Sequence, residues 1–167
     1  MKTLVVYFSR FGNTRKVAEA IAARLRSAGT VQLIGAEELP ATDLDGVDLV
    51  VMGTPTHNMN LPAAVKPLFD SLARGRFKGK PVAAFDTSYK LSWWLRPFTA
   101  AKRLSRKLRR FGGRQIVPPE TFLVVEREGP LYEGELQRAA LWADTILEAI
   151  ANVSKGRREI EMSRTHG

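Results

Sequence analysis

Four residues near the amino terminus could do the clearest chemistry in this chain. Ser9, Gly12, Asn13 and Thr14 lie between an apolar stretch and a stretch with helical spacing. The first backbone N–H groups of a helix lack partners and carry a partial positive charge. Hydroxyl and amide donors at this point therefore favour a bound phosphate, and Gly12 lets the backbone approach it closely. The alternative is that Asn13 or Thr14 merely caps the helix.

The spacing of these residues differs from that of two common nucleotide motifs. The segment lacks the glycine pattern of the dinucleotide fingerprint and the Gly-Lys pair of the Walker motif. The sequence therefore predicts a site for a monoester phosphate. A metal centre is not predicted, because the chain has no cysteine and only two histidines.

The elements that must position this site alternate along the chain. Apolar strands are predicted at residues 2–8, 30–34, 48–52 and 82–85, with a fifth, bent at Pro118-Pro119, at residues 115–117 and 121–125. Helices are predicted at residues 13–28, 61–73, 96–111 and 132–152. This alternation predicts a three-layer α/β sandwich with a parallel sheet. Ligands bind such sheets beyond the carboxyl ends of the strands, so we expect residues 9–14, 54–60 and 86–91 to lie close together.

Length and composition predict one domain, residues 1–152, followed by a polar tail, residues 153–167. The chain has 167 residues, 44% of them hydrophobic, which is enough for one substantial core. The tail either extends the last helix or is disordered. No signal-peptide pattern and no apolar run of about 20 residues is present, which predicts a cytoplasmic protein.

The positive charge of the chain is concentrated in one predicted helix. The net charge is +9, and residues 96–114 contain eight cations and no acidic residue. Arg103, Arg106, Lys107 and Arg110 form a stripe opposite the apolar face of this helix. A patch of this kind implies an acidic partner or surface.

The three loops together resemble those of the flavodoxin family. Residues 9–14 resemble its phosphate loop, residues 54–59 its second loop and residues 86–89 its third. The similarity extends over about residues 1–150 and implies one FMN and a five-stranded parallel sheet of order 2-1-3-4-5. The cofactor-binding residues implied by the resemblance are Ser9, Phe11, Gly12, Asn13, Thr14, Pro55, Thr56, His57, Asn58, Met59, Asp86, Thr87, Ser88 and Tyr89.

Within this resemblance, Tyr89 is expected to stack on one face of the flavin ring, and His57, Asn58 or Met59 to cover the other. Phe11 stands where the family often has a hydroxyl residue. Asn58 stands where electron-transfer flavodoxins commonly have glycine, whose backbone can turn its carbonyl toward the flavin. Asparagine tolerates a positive φ but hinders that change.

The resemblance implies electron transfer through non-covalently bound FMN, with no catalytic side chain. The redox partner would be an acidic protein docking near Arg103, Arg106 and Arg110. An alternative is an FMN-dependent quinone reductase or an enzyme resembling the menaquinone-linked protoporphyrinogen oxidases. Trp93 and Trp94 would then line a site beside the flavin or meet a membrane, whereas they otherwise pack in the core.

A third interpretation belongs to another class of protein. A nonenzymatic binding module could use the same basic helix to bind nucleic acid or a partner protein. Nucleic acid is disfavoured, because no base-reading motif accompanies the basic helix and most charged helix faces are simply solvated.

Overall fold

The computed structural model describes residues 1–56, 60–90 and 99–165, and describes only the backbone of residues 157–161 and 163–165. The strands are β1 Lys2–Tyr7, β2 Thr30–Gly35, β3 Leu49–Pro55, β4 Pro81–Ser88, β5 Arg114–Gln115 and β6 Glu120–Leu123. The helices are α1 Asn13–Leu25, α2 Val65–Ser71, α3 Ala100–Arg110 and α4 Glu135–Thr165, with 3-10 turns at Arg26–Ala28 and Ala36–Ala41. No helix among these described residues is long and apolar enough to cross a membrane.

The strands form one parallel sheet of order β2-β1-β3-β4-β5, and β6 also pairs with β4. The predicted order 2-1-3-4-5 is thus confirmed. The fifth strand is interrupted at Pro118-Pro119 as predicted, because proline has no N–H for the ladder. Its two parts are β5 and β6, so the sheet has six strands.

Two cores cover the faces of the sheet. Leu4 and Val6 of β1 belong to the core that includes Phe69 of α2 and Leu104 of α3. Val5, between them in the sequence, belongs to the core that includes Ile21 of α1 and residues of α4. Successive side chains of a strand point to opposite faces, and this alternation yields the predicted three-layer sandwich.

All four helices differ from their predicted bounds: α1 ends at Leu25, where a 3-10 turn follows, α3 begins only at Ala100, and the other two differ more. The helix predicted at residues 61–73 is only Val65–Ser71. Pro67 is its third residue, and proline is tolerated only in the first turn because it cannot donate an intrahelical hydrogen bond. The last helix, predicted to end near residue 152, continues to Thr165. The segment around Trp93 and Trp94 lies outside the described residues.

Candidate functional site

The beginning of α1 lies at the carboxyl end of β1 and has no side-chain cap. Gly12 is the N-cap residue, with a left-handed φ of 86°. Its backbone N–H donates to Ser9 Oγ at 3.1 Å, and no side chain caps the helix. The alternative that Asn13 or Thr14 merely caps the helix is therefore wrong. The first turn keeps the N–H groups that attract an anion.

The side chain of Asn13 instead binds a turn that the sequence analysis missed. Asn13 Nδ2 donates to the carbonyl oxygen of Glu128 at 2.9 Å. The turn is closed by a hydrogen bond from the Gly129 N–H to the Glu126 carbonyl, at 3.0 Å. A Cβ on Gly129 would lie 2.7 Å from the Asn13 amide, and φ there is +108°. Only glycine therefore lets this turn, residues 126–129, pack against the beginning of α1.

The side chain of Thr14 joins the first loop to the third. Its Oγ1 lies 2.8 Å from Thr87 Oγ1, and both residues are buried. Two hydroxyls carry two protons, and only one proton is used between them. The pair therefore keeps one donor at the end of the sheet.

The carboxyl of Asp86 serves the fold, and it does not line the site. Asp86 is fully buried, and its Oδ2 accepts hydrogen bonds from Thr56 Oγ1 at 2.5 Å and from the Ala101 N–H at 2.9 Å. Thr56 Oγ1 in turn accepts from the Ala100 N–H at 3.0 Å. Asp86 and Thr56 together satisfy the first N–H groups of α3, which a helix normally obtains from its own N-cap side chain.

The environment of Asp86 changes its acidity. Burial raises the pKa of the Asp86 carboxyl, while the hydroxyls of Thr121 and Thr56 and the N–H of Ala101 oppose this rise. The partial positive charge at the beginning of α3 also stabilises the carboxylate and therefore opposes the rise in the pKa of Asp86.

The loops enclose a cavity of about 560 Å³ at the carboxyl edge of the sheet, within the range of small-molecule sites. Its wall contains nine of the predicted residues, Ser9, Phe11, Asn13, Thr14, Pro55, Thr56, Thr87, Ser88 and Tyr89. Gly12 caps the adjoining helix without lining the wall, and Asp86 is buried away from it. The predicted residues His57, Asn58 and Met59 lie outside the described residues.

Seven further residues on the wall were not among the predicted ligands. They are Phe8, Arg10, Pro62, Ala63, Ala64, Val124 and Arg127. Val124 and Arg127 follow β6, whose carboxyl end meets the same edge of the sheet as β1, β3 and β4. The rule that ligands bind beyond the carboxyl ends of strands thus applies to the loop after β6 too.

The cavity wall carries groups suited to both the phosphate and the ring of FMN. The uncapped first turn of α1 and the Thr14–Thr87 hydroxyl pair provide donors at one end. Tyr89 and Phe11, each 41% exposed, provide aromatic surface. Among the described wall residues Arg10 and Arg127 are the charged ones, and none is acidic. The residues present therefore fit FMN.

Comparison with known proteins supports this interpretation. The flavodoxin domain family matches residues 4–112, which include most of β1, all of β2 to β4 and the three loops. The chain belongs to the flavodoxin family. Flavodoxins bind FMN and transfer electrons to redox partner proteins, so FMN is the cofactor of this protein and electron transfer its function.

Individual relatives agree in extent and fold. A flavodoxin of Clostridium saccharobutylicum is 25% identical over 165 residues, which cover 92% of this chain and 99% of that protein. A flavodoxin of Aquifex aeolicus is 39% identical over 93 residues, about half of each chain. A solved structure of an archaeal flavodoxin is 25% identical, has a TM-score of 0.70 and covers 90% of this chain. The similarity to flavodoxins thus covers nearly the whole chain.

Proposed function

We propose that the beginning of α1 holds the phosphate of FMN and that Tyr89 packs against the flavin ring. The observation that carries this assignment is the uncapped first turn of α1, whose residues Asn13 and Thr14 line the cavity. Tyr89 lies on the same wall and is partly exposed, and aromatic surface of this kind suits a planar ring. His57, Asn58 and Met59 remain the predicted cover for its other face.

Bound FMN supplies the redox chemistry, and the side chains of this protein bind and orient it. Ser9 and Gly12 shape the loop at the phosphate end, Thr14 and Thr87 supply a hydroxyl donor, and Pro55 and Thr56 also line the cavity. We assign no catalytic side chain. We further propose a cytoplasmic location.

We also propose that the redox partner is acidic and docks on α3. This helix contains six cations, Lys102, Arg103, Arg106, Lys107, Arg109 and Arg110, and no carboxylate. None of them forms an ion pair among the described residues. Unpaired positive charges on one helix attract and orient an acidic protein.

The six cations are not equivalent. Lys102, Arg106, Arg109 and Arg110 are exposed, whereas Arg103 is half-buried. Lys107 is also half-buried, and its Nζ lies 5.0 Å from the centre of the Phe69 ring. Of the three arginines predicted for docking, Arg106 and Arg110 therefore present the most accessible charge.

The position of α3 favours electron transfer from a partner bound there. Thr56 lies on the cavity wall and also binds the Ala100 N–H. Tyr89 borders both the large cavity and a smaller one of about 350 Å³, whose wall includes Lys102. A protein docked on the exposed side of α3 would thus lie close to the proposed flavin site.

Reversing Arg103, Arg106 and Arg110 to glutamate should slow electron transfer to an acidic ferredoxin by about tenfold or more at low salt, since charge steering acts on the encounter rate. The same variant should react faster with basic cytochrome c. Stopped-flow rates at low and high salt measure both effects, and FMN content should not change. A control variant in which Lys2, Arg26 and Lys155 are replaced by glutamate has the same net charge but leaves α3 unchanged. Equal rates in both variants would contradict docking on α3.

A soluble or membrane quinone is a second candidate acceptor, favoured by the absence of carboxylates among the described wall residues. Reduction adds negative charge to the flavin, and nearby carboxylates would oppose it. The cations Arg10 and Arg127 instead favour it. We therefore propose that FMN here accepts its second electron more readily than in flavodoxins with an acidic site.

Ala63→Glu tests this proposal, because Ala63 is exposed on the wall and the variant introduces a carboxylate. The potential for the second electron should fall by about 40 mV, equivalent to the ~1 kcal/mol between unit charges about 4 Å apart in water. Spectroelectrochemical titration measures it, with Ala63→Gln as the neutral control. A wild-type second potential as low as that of acidic flavodoxins, or no difference between the variants, would contradict the proposal. Reduction of menadione compared with reduction of an acidic ferredoxin separates the two acceptors.

A further inference from the structure

The charged residues on the cavity wall have a distinctive placement. Arg10 and Arg127 come from different loops, both are exposed, and neither forms an ion pair among the described residues. Exposed arginines normally gain little from ion pairs with their own chain. Two unpaired guanidinium groups on one cavity wall are suited to an anionic ligand group.

Contacts within the protein place Arg127 near the beginning of α1. It belongs to the turn of residues 126–129, and the neighbouring carbonyl of Glu128 accepts the hydrogen bond from Asn13 Nδ2 at 2.9 Å. Gly129 packs so closely on the Asn13 amide that a Cβ would not fit. Asn13 is the first residue of α1. The turn is therefore held at the helix end that we assign to the phosphate.

Arg10 lies in the first loop itself, between Ser9 and Phe11. Its guanidinium lies 5.3 Å from the centre of the Phe11 ring, which holds the side chain by a cation–π contact. Phe11 stands where the resemblance implied a hydroxyl, so the loop has one neutral donor fewer. Its neighbour Arg10 offers several charged donors.

We propose that Arg127, assisted by Arg10, binds the phosphate of FMN and replaces the missing hydroxyl donor with positive charge. This inference rests on the assignment of the phosphate to the beginning of α1. A guanidinium can donate two parallel hydrogen bonds to phosphate oxygens. Because both arginines are exposed, their attraction is screened by salt, so the affinity for FMN depends on ionic strength.

The same arrangement makes FMN affinity depend on pH. A phosphate monoester changes from one negative charge to nearly two around pH ~6. The attraction of two arginines for the dianion exceeds that for the monoanion. Glu126 and Glu128 flank Arg127 in the turn and are exposed, but neither lines the cavity wall. FMN should therefore bind more tightly above that pH than below it, and the difference should shrink when Arg127 is removed. Fluorescence titrations on both sides of that pH measure the difference.

Arg127→Ala tests the proposal by titrating apoprotein with FMN and with riboflavin, following the quenching of flavin fluorescence. The dissociation constant for FMN should rise about tenfold at ~0.05 M NaCl and much less at ~0.5 M NaCl, while that for riboflavin should not change. Arg127→Lys, which keeps the charge but not the paired donors, should lie between wild type and alanine. Arg74→Ala, at an exposed arginine between α2 and β4, is the matched control and should bind both flavins as wild type does.

Three results would overturn the proposal: equal losses of FMN and riboflavin affinity in Arg127→Ala, an unchanged salt dependence, or FMN affinity equal to wild type at low salt. Arg127→Ala could bind FMN as wild type does at low salt while a Thr14 variant loses affinity for FMN alone. Arg127 would then have no role, and the phosphate assignment would stand. If neither variant loses more affinity for FMN than for riboflavin, the phosphate assignment itself is contradicted.

Discussion

Replacing Thr14 by valine should weaken FMN binding by about 1 to 3 kcal/mol, or about 5- to 150-fold, the cost of removing a hydrogen bond to a charged group. Valine has nearly the shape of threonine, so the buried packing around residue 14 is kept. The hydroxyl of Thr14 is lost, and with it the contact at 2.8 Å to Thr87. The spare donor of the pair then depends on Thr87 alone.

The comparison with riboflavin makes this prediction specific. Riboflavin has the same ring but no phosphate, so its affinity should be unchanged in Thr14→Val. Fluorescence titration of apoprotein measures both dissociation constants. Thr145→Val removes a hydroxyl on α4 that donates to the Trp142 carbonyl at 2.7 Å and should alter neither. Equal losses for the two flavins would show that Thr14 acts on the ring or on the fold and not on the phosphate.

Replacing Asp86 by alanine should lower the free energy of unfolding by about 2 to 4 kcal/mol. The change removes the acceptor of two buried hydrogen bonds, from Thr56 Oγ1 and the Ala101 N–H. Each donor left without a partner costs roughly 1 to 3 kcal/mol. The first turn of α3 also loses a negatively charged cap. Urea denaturation of the FMN-saturated protein measures the change.

The asparagine variant separates the charge of Asp86 from its hydrogen bonds. Asp86→Asn keeps an acceptor oxygen and should be much less destabilised than Asp86→Ala. Burial raises the pKa of Asp86 in the folded protein, so the folded state binds more protons than the unfolded state between pH ~3.9 and that raised pKa. The stability of wild type should therefore fall as pH rises through the raised pKa, and the stability of Asp86→Asn relative to wild type should rise.

Denaturation at several pH values checks this sign. The free energy of unfolding of Asp86→Asn, relative to that of wild type, should increase with pH. A difference that is constant with pH would show that Asp86 has the same pKa in both states. A cost below about 0.5 kcal/mol for Asp86→Ala, typical of surface positions, would contradict its role at the beginning of α3.

Much of this site could be predicted from local sequence. Most of β1 and β3 is a continuous apolar run, and the residues at or just beyond the ends of β1, β3 and β4 include glycine, proline and hydroxyl side chains. Strand order and the place of ligands in parallel sheets then bring these loops together. The resemblance of the loops to those of flavodoxins added the cofactor, and the family match confirmed it.

Local sequence was less informative about what each polar side chain binds. Asp86 was predicted to bind the cofactor because it begins the third loop, yet it is fully buried and holds α3. Its partner Thr56 is 30 residues away. A carboxylate at a strand end can face the ligand or a neighbouring helix, and only the packing of α3 decides which.

The sequence by itself determined the alternation of strands and helices and the loop that begins α1, because hydrophobic period, glycine and hydroxyl residues act within a few positions. The tertiary structure alone decided that the turn of residues 126–129 lies against the beginning of α1, with Arg127 on the cavity wall. Asn13 and Glu128 are 115 residues apart, and no local pattern of either residue predicts the other. Their contact exists because β1 and β6 end at the same edge of one parallel sheet.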